Sequence, residues 1–370
     1  MKISLLENPG ALTSALAAWG QPSYRQKQIA AWLYKGVGFE GMKDIPQALR
    51  VQLDECFMPI SCAVESVVSG SGDTQKYLFA FADGECVEGV WMRYLHGNTI
   101  CLSTQCGCRM GCVFCASTMG GLTRDCTSGE MLSQVIAAAH HQRQADEPLR
   151  NFSNLVLMGS GEPLDNAANV IEFIRRVSDP ASFGVSPRNI SLSTCGVPEG
   201  IRTLTQSGLG VTLCWSLHAP DDALRKRIMP GAAARGSIVE VLSLVKEYIA
   251  ESGRRAIIEY TMIQGVNDSL EHARRLAALL RGCMCHVNLI PLNPVPGRPY
   301  RPSSKSSMVA FSKCLQQLGI SHTARRTLGE DVNAACGQLR RYTKEQAAGG
   351  DSPADCTKEQ AVGDSPSPVD

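Results

Sequence analysis

Apolar runs of five to eight residues recur from residue 99 onward, at Thr99–Ser103, Asn154–Met158, Asn189–Ser193, Gly210–Leu217, Ala256–Ile263 and His286–Ile290. Between them lie stretches whose apolar residues return every three or four positions, at Gly129–Gln142, Ile238–Ala250 and Leu270–Leu280. The first pattern is that of buried strands and the second that of amphipathic helices. Strand and helix in alternation predict a parallel sheet with right-handed crossovers, as an open doubly wound sheet or as a barrel.

The N-terminal part reads differently. Ile29, Trp32, Leu33, Leu49, Leu53 and Cys56 carry helical spacing across residues 22 to 57, with helix starts at Pro22-Ser23 and Asp44-Ile45-Pro46. Three strand-like runs follow, Ala63–Val68, Lys76–Phe81 and Cys86–Tyr94, parted by turn signals at Ser69–Asp73 and Asp83-Gly84. These observations predict a small α+β accessory domain over residues 1–97, then an α/β core over 98–343. Beyond residue 344 the chain repeats Lys-Glu-Gln-Ala and Gly-Asp-Ser-Pro, is rich in Pro, Gly and Ala and lacks aromatics, so a disordered tail is expected over 344–370.

The polar, glycine-bearing signatures all sit just after a strand run. They are Gln105–Cys115, Gly159-Ser160-Gly161-Glu162-Pro163, Ser193-Thr194-Cys195-Gly196, Ser216-Leu217-His218-Ala219 and Asn293-Pro294. In α/β barrels the active site is assembled on the face where strands end. The first signature contains Cys108, Cys112 and Cys115 in a C-x3-C-x2-C spacing. That spacing suits a four-iron cluster held by three thiolates, whereas iron–sulfur clusters ordinarily take four cysteines. A fourth iron left open fits S-adenosylmethionine, whose amino and carboxylate groups can chelate it. One-electron reduction of the sulfonium would then give a carbon radical, chemistry that belongs to the cofactor. Zinc is the competing reading, with Cys101 or Cys106 completing a site around the Cys112/Cys115 pair. Buried inert thiols are a third. Phe114 offers apolar cover to an oxygen-sensitive cluster.

Composition narrows the class. A 370-residue chain with 44% hydrophobic and 19% charged residues is that of an ordinary globular protein with room for one large domain and a smaller one. Sixteen cysteines, mostly scattered singly, with no secretory signal and no membrane-length apolar stretch, point to a reducing cytoplasm and no membrane. Net charge is +1, but residues 346–370 hold five acids and one base, a charge of −4, so the remainder carries +5. A mildly basic body is compatible with an RNA partner. Arg25, Lys27 and Lys35 near the N-terminal helices are candidates to meet it, though a solvated charged face accounts for them equally.

The cluster loop, the Gly161-Glu162-Pro163 turn and the late segment Gly329-Glu330-Asp331-Val332-Asn333-Ala334-Ala335-Cys336-Gly337-Gln338-Leu339 together resemble the RlmN/Cfr class of radical SAM adenine methyltransferases, over about residues 20 to 341. The resemblance implies an incomplete (β/α)6 radical SAM barrel preceded by a small accessory RNA-binding domain. It implies one 4Fe-4S cluster on Cys108, Cys112 and Cys115, and two molecules of S-adenosylmethionine per turnover. Cys336 would accept a methyl from one of them, and the radical from the other would abstract hydrogen from that S-methyl group. The resulting methylene would add to an electron-poor adenine carbon. Cys101 would resolve the protein–RNA adduct through a transient disulfide with Cys336, and Glu88 would take the ring proton. Gly161, Glu162, Ser193, Ser216, Leu217, His218 and Asn293 would contact S-adenosylmethionine.

The chain departs from the class at Cys106, where a small or branched apolar residue is usual, and at Gly89, where a threonine is common. It departs again at Gly231-Ala232-Ala233-Ala234, which replaces an asparagine-containing loop expected near RNA. The implied reaction is methylation of carbon 2 of an adenosine in 23S ribosomal RNA and, in the housekeeping branch, in tRNA. Carbon 8, as in the Cfr-like branch, is the alternative. A non-methylating RNA-binding paralogue and a radical enzyme acting on a small molecule are the readings from other classes. A flavodoxin or ferredoxin is the expected electron donor, and a monomer the expected state.

Overall fold

A computed structural model describes residues 2–70, 73–95, 97–144, 152–325, 333, 335, 337–339 and 341–343. The expected tail and the thiol of Cys336 lie outside the described residues. Six parallel strands form the body of the fold: β1 (Gly97–Cys101), β2 (Phe152–Leu157), β3 (Ile190–Thr194), β4 (Thr212–Ser216), β5 (Ala256–Met262) and β6 (Cys285–Pro291). Each pairs with the next in chain order. Helices return the chain between them: α1 (Ser128–Gln144), α2 (Ala167–Ser178), α3 (Pro198–Gln206), α4 (Ile238–Ser252) and α5 (Leu270–Leu280), with α6 (Lys305–Gln317) after the last. A short seventh strand, His322–Ala324, pairs in parallel with β6.

The arc does not close. On its outer flank β1 pairs antiparallel with Glu85–Tyr94, which continues to Thr74–Phe81 and Cys62–Ser69. The architecture agrees with the incomplete (β/α)6 barrel that the resemblance implies, with a difference in how the N-terminal part attaches. The antiparallel strands extend the barrel sheet, and Tyr77, Phe79, Phe81 and Trp91 belong to the same apolar core as Trp215, Tyr260 and Phe311. The segment before residue 58 keeps a core of its own, built on Leu12, Ile29, Leu33, Phe39, Leu49, Leu53 and Phe57. The apolar clusters therefore divide near residue 58 and not near 97. Edge strands with unpaired backbone favour this outcome, since pairing Glu85–Tyr94 to β1 satisfies the ladder groups of both.

Local signals account for the elements. In α4, Ile238, Val241, Leu242, Val245, Tyr248 and Ile249 fall on one buried stripe. Ser237 caps its first turn, and Gly253 ends it in the left-handed region at φ 65°. The Asp83-Gly84 hairpin turns at φ 92° on Gly84, with the Glu85 amide donating to Asp83 Oδ1 at 3.0 Å. Trp32 and Cys56, read as part of the helical stripe, lie at its margin, half-buried and exposed. A helix at Pro9–Ala18 completes the small core and carried too little apolar periodicity to be read in advance.

Because the helical core is separate, truncating it should loosen it alone. Leu53→Ala is expected to cost about 2–5 kcal/mol, and hydrogen exchange should quicken in residues 9–56 while the amides of β3–β5 stay protected.

Candidate functional site

The C-terminal ends of β2–β6 surround one cavity. The thiols of Cys108, Cys112 and Cys115 line it, with Gly161 and Glu162 after β2, Ser193 and Cys195 at the end of β3, Ser216 and His218 after β4, and Asn293 after β6. Leu217 does not face the cavity but is fully buried, with its amide donating to the Glu259 carbonyl at 3.1 Å. Cys101 and Glu88 lie on the sheet beyond the cavity wall.

The cluster loop is fixed by close backbone packing. Thr104 N and Gln105 N both donate to the Ser160 carbonyl, at 2.9 and 3.2 Å, and Gly159 N donates to Leu102 O at 2.9 Å. Gly161 has φ 109°, and a Cβ there would lie 2.8 Å from Gln105 N, so only glycine admits this contact. The buried Gln105 side chain joins the two segments, accepting from Glu162 N at 2.8 Å and donating to Asp125 at 2.8 Å. Arg109 holds Asp165 with two bonds of 2.6 and 2.7 Å. Cys108 N donates to Gly121 O, and Thr118 Oγ1 donates to the carbonyls of Cys112 and Cys115. The last segment docks here too: Ala116 N donates to Gly337 O at 2.8 Å and Ser117 Oγ to Leu339 O at 2.7 Å.

Gly231, expected near RNA, instead backs the cluster loop. Its amide donates to Met110 O at 2.9 Å, and an added Cβ would lie 2.7 Å from the carbonyl oxygens of Arg109 and Met110. The Gly-Ala-Ala-Ala departure thus belongs to the packing beneath the cysteines. Of the basic residues singled out near the N-terminal helices, Arg25 donates to Gln28 and the Asp44 carbonyl, and Lys35 lies 4.9 Å over the Trp32 ring.

Four ionisable groups govern the electrostatics. Glu162 is buried; Thr194 Oγ1, Leu164 N and Cys195 N donate to its carboxylate at 2.6–3.0 Å. Burial raises its carboxyl above the usual range against those bonds. Glu259, on β5, accepts from Ser193 Oγ at 2.6 Å and Ser216 Oγ at 3.0 Å on one oxygen; the other, Oε1, is buried without a partner. Arg225 is fully buried, stacked 5.8 Å over Trp215, and donates to the Cys195 carbonyl, while its Nε and Nη1 have no partner. His218 has φ 55°, accepts from Thr261 N on Nδ1 at 2.9 Å, and meets the Phe114 ring edge-on at 5.2 Å. Burial, with the Arg225 charge behind it, pushes His218 down to about 3.

These residues can be tested against the groups that the sequence implies. Burial raises the thiols of Cys108, Cys112 and Cys115, and the charges of Cys108 and Cys115 raise Cys112 further while Arg225 opposes them. Such a trio is poor as bare thiolates and suited to a cationic inorganic core. Among the described residues no three His, Cys, Asp or Glu side chains converge on a point for one metal ion. Thiolates on a single zinc would stand about 3.8 Å apart, from metal–sulfur bonds of about 2.3 Å. A multi-iron cluster spreads its ligands further. The unpartnered Arg225 nitrogens match an anionic cluster, and Glu259 Oε1 beside two serines matches the hydroxyls of a ribose.

Residues 102–277 match the Radical SAM superfamily. Over 334 residues the chain is 46% identical to "Probable dual-specificity RNA methyltransferase RlmN" of Clostridium botulinum (strain Eklund 17B / Type B), spanning 90% of this chain and 94% of that protein. The chain belongs to the RlmN family of radical SAM methyltransferases. An RlmN relative from Clostridium tetani is 44% identical over 330 residues, 88% of this chain and 93% of its own. The crystal structure of a radical SAM methyltransferase from Sphaerobacter thermophilus superposes with a TM-score of 0.86 at 40% identity, covering 91% of this chain and 99% of that one. As an RlmN-family enzyme the protein uses a 4Fe-4S cluster and S-adenosylmethionine.

Sequence reading missed Glu259, Arg225 and Lys76. Glu259 interrupts an apolar strand and Arg225 sits in a basic run, and each looked like a solvated charge; their burial depends on partners far along the chain.

Two outcomes follow from this geometry. Gly231→Ala should lower the iron content of purified protein while far-ultraviolet circular dichroism stays unchanged. His218 should remain the neutral Nε2–H tautomer in 15N spectra down to about pH 4. Its unfolded counterpart takes up a proton below about pH 6.5, so stability at this site is intact above that value and declines as pH falls towards 3.

Proposed function

We propose that this enzyme methylates carbon 2 of an adenosine in 23S ribosomal RNA and in tRNA, with Cys336 as methyl carrier, Cys101 as resolving thiol and Glu88 as proton acceptor. The observation that carries the reading is the seat of Leu339. It packs with Cys101 and Val90 in one apolar cluster, and with Gly337 it lines the cavity of the three cysteines. Gly337 and Leu339, just after Cys336 in sequence, are thereby tied to the cluster loop, and Leu339 also to the strand of Cys101.

When bound, the cluster and S-adenosylmethionine supply a carbon radical and, from a second S-adenosylmethionine, a methyl group. Cys108, Cys112 and Cys115 would hold the cluster. Glu162 and the Gly161 turn would meet the ammonium, Asn293 and the Leu217 backbone the rest of the methionine and adenine, and Ser193, Ser216 and Glu259 the ribose. His218, kept neutral, would bound the cavity without adding charge. Glu88 would accept the proton from the ring carbon, and Cys101 would close a disulfide with Cys336 to free the RNA.

Among the described residues Cys62, Cys126, Cys195, Cys214 and Cys314 are free thiols. That suits a reducing cytoplasm, in which a catalytic disulfide is transient. No helix among the described residues is long and apolar enough to cross a membrane. A flavodoxin or ferredoxin would supply electrons to a monomeric enzyme.

Mass spectrometry of nucleosides from cells with the gene deleted, then restored, tests the reading. Loss and return of 2-methyladenosine in ribosomal RNA and tRNA is the expected result, and Cys336→Ala should abolish the return. Appearance of 8-methyladenosine would move the enzyme to the Cfr-like branch, and no change in either nucleoside would overturn the proposal.

A further inference from the structure

The antiparallel strands beside the barrel carry an arrangement that the cofactor site does not use. Lys76 lies opposite Val90, Val90 opposite Cys101, and Cys101 opposite Val156, so one row of side chains crosses four strands on a single face. Glu88, two residues before Val90, shares that face and is the diagonal neighbour of Lys76. The two side chains form an ion pair although they are only 5% and 1% exposed. Lys76 Nζ also donates to the Asn333 carbonyl at 3.4 Å. Asn333 has φ 50°, in the left-handed region, and stands three residues before Cys336. Its turn is followed by Leu339, which packs on Val90 and Cys101.

A lysine is costly to bury, and a buried ion pair is seldom more stabilising than two apolar side chains of similar volume. Stability is thus a poor account of Lys76. Its ammonium has three donors; one engages Glu88 and another the turn that leads to Cys336. Asn333 and Leu339, on either side of Cys336 in sequence, are accordingly fastened to one sheet face, the first through Lys76 and the second through Val90 and Cys101.

We propose that Lys76 is a positioning residue of the methyl transfer: it holds the Glu88 carboxylate and the Asn333 turn ahead of Cys336 in fixed relation, so that the proton acceptor faces the adenine carbon linked through a methylene to the Cys336 sulfur. This rests on the reading of Glu88 as proton acceptor. Lys76 touches neither RNA nor cofactor in this role. It acts after Cys336 has been methylated, at the step where the covalent protein–RNA adduct is resolved.

The test compares Lys76→Met, Lys76→Arg, Glu88→Gln and the double variant Lys76→Met/Glu88→Gln, all reconstituted with cluster. Turnover, S-methylation of Cys336 by mass spectrometry, and the fraction of protein covalently joined to RNA on denaturing gels are read for each. A displacement of about 1 Å in such a group costs on the order of 100-fold. Lys76→Met should lose about that much turnover while Cys336 is methylated normally and the RNA adduct accumulates, as in Glu88→Gln. Lys76→Arg should regain part of the turnover and clear the adduct. The double variant, with neither buried charge present, should be no slower than Glu88→Gln, and Lys76→Arg, slower than wild type with Cys336 normally methylated, decides the matter if Lys76→Met does not fold. Wild-type turnover in Lys76→Met, reduced S-methylation in it, or a double variant slower than Glu88→Gln overturns the role of Lys76 and leaves Glu88 standing. Unimpaired turnover in Glu88→Gln removes Glu88 as proton acceptor, and the inference with it.

Discussion

The site depends on how closely two strand ends approach each other. The backbone of residues 159–161 lies against that of residues 102–105, at a separation that leaves no room for a Cβ at Gly159 or Gly161. From that contact the Ser160 carbonyl receives two amides of the cluster loop, and the Glu162 amide reaches the Gln105 side chain. Three thiols and a carboxylate thus share one cavity through short-range main-chain geometry, which does not rely on flexible side chains. A second close approach, at Gly231, supports the same loop from below. Preorganisation of this kind keeps a multi-ligand centre within the small tolerance that its chemistry demands.

Charge is distributed around the cavity with a similar economy. Glu162 and Glu259 are buried carboxylates, one in the turn after β2 and one on β5, and Arg225 is a buried cation behind Cys112 and Cys195. Glu259 and Arg225 are satisfied by the protein only in part, which is unfavourable in a core and appropriate in a site that receives an anionic cluster and a polar nucleoside. His218 contributes the reverse, an ionisable ring held neutral. The apolar barrel core below, with Trp215, Tyr260 and Phe311, keeps these interactions in a medium where they are strong.

Much of this was legible in the chain. The six strand runs, the position of each polar signature just after a strand, and the cysteine spacing all reappear, because period and turn chemistry are local properties. The attachment of the hairpins was not legible. Nothing within residues 62–94 tells that Glu85–Tyr94 pairs with Gly97–Cys101 and so joins the barrel, since that pairing depends on which edge is left open. Lys76, Arg225 and Glu259 were missed for a related reason. A lone charge in a strand or a basic run reads as solvated unless its partner is known, and Lys76 meets Asn333 across 257 positions of sequence. Leu217, read as a contact of S-adenosylmethionine, keeps its side chain in the core, so only its backbone is left for that role.

The row that crosses four strands also bears on how the protein must fold. Side chains alternate along a strand, so slipping Glu85–Tyr94 by one residue against either neighbour would turn Glu88 and Val90 to the opposite face together. Such a protein could keep most of its core, hold its cluster and remain inert. The Asp83-Gly84 turn, far from any reacting atom, is what sets that register. Fidelity of a hairpin is then a condition for chemistry, and a misfolded fraction would escape any assay of solubility or iron content.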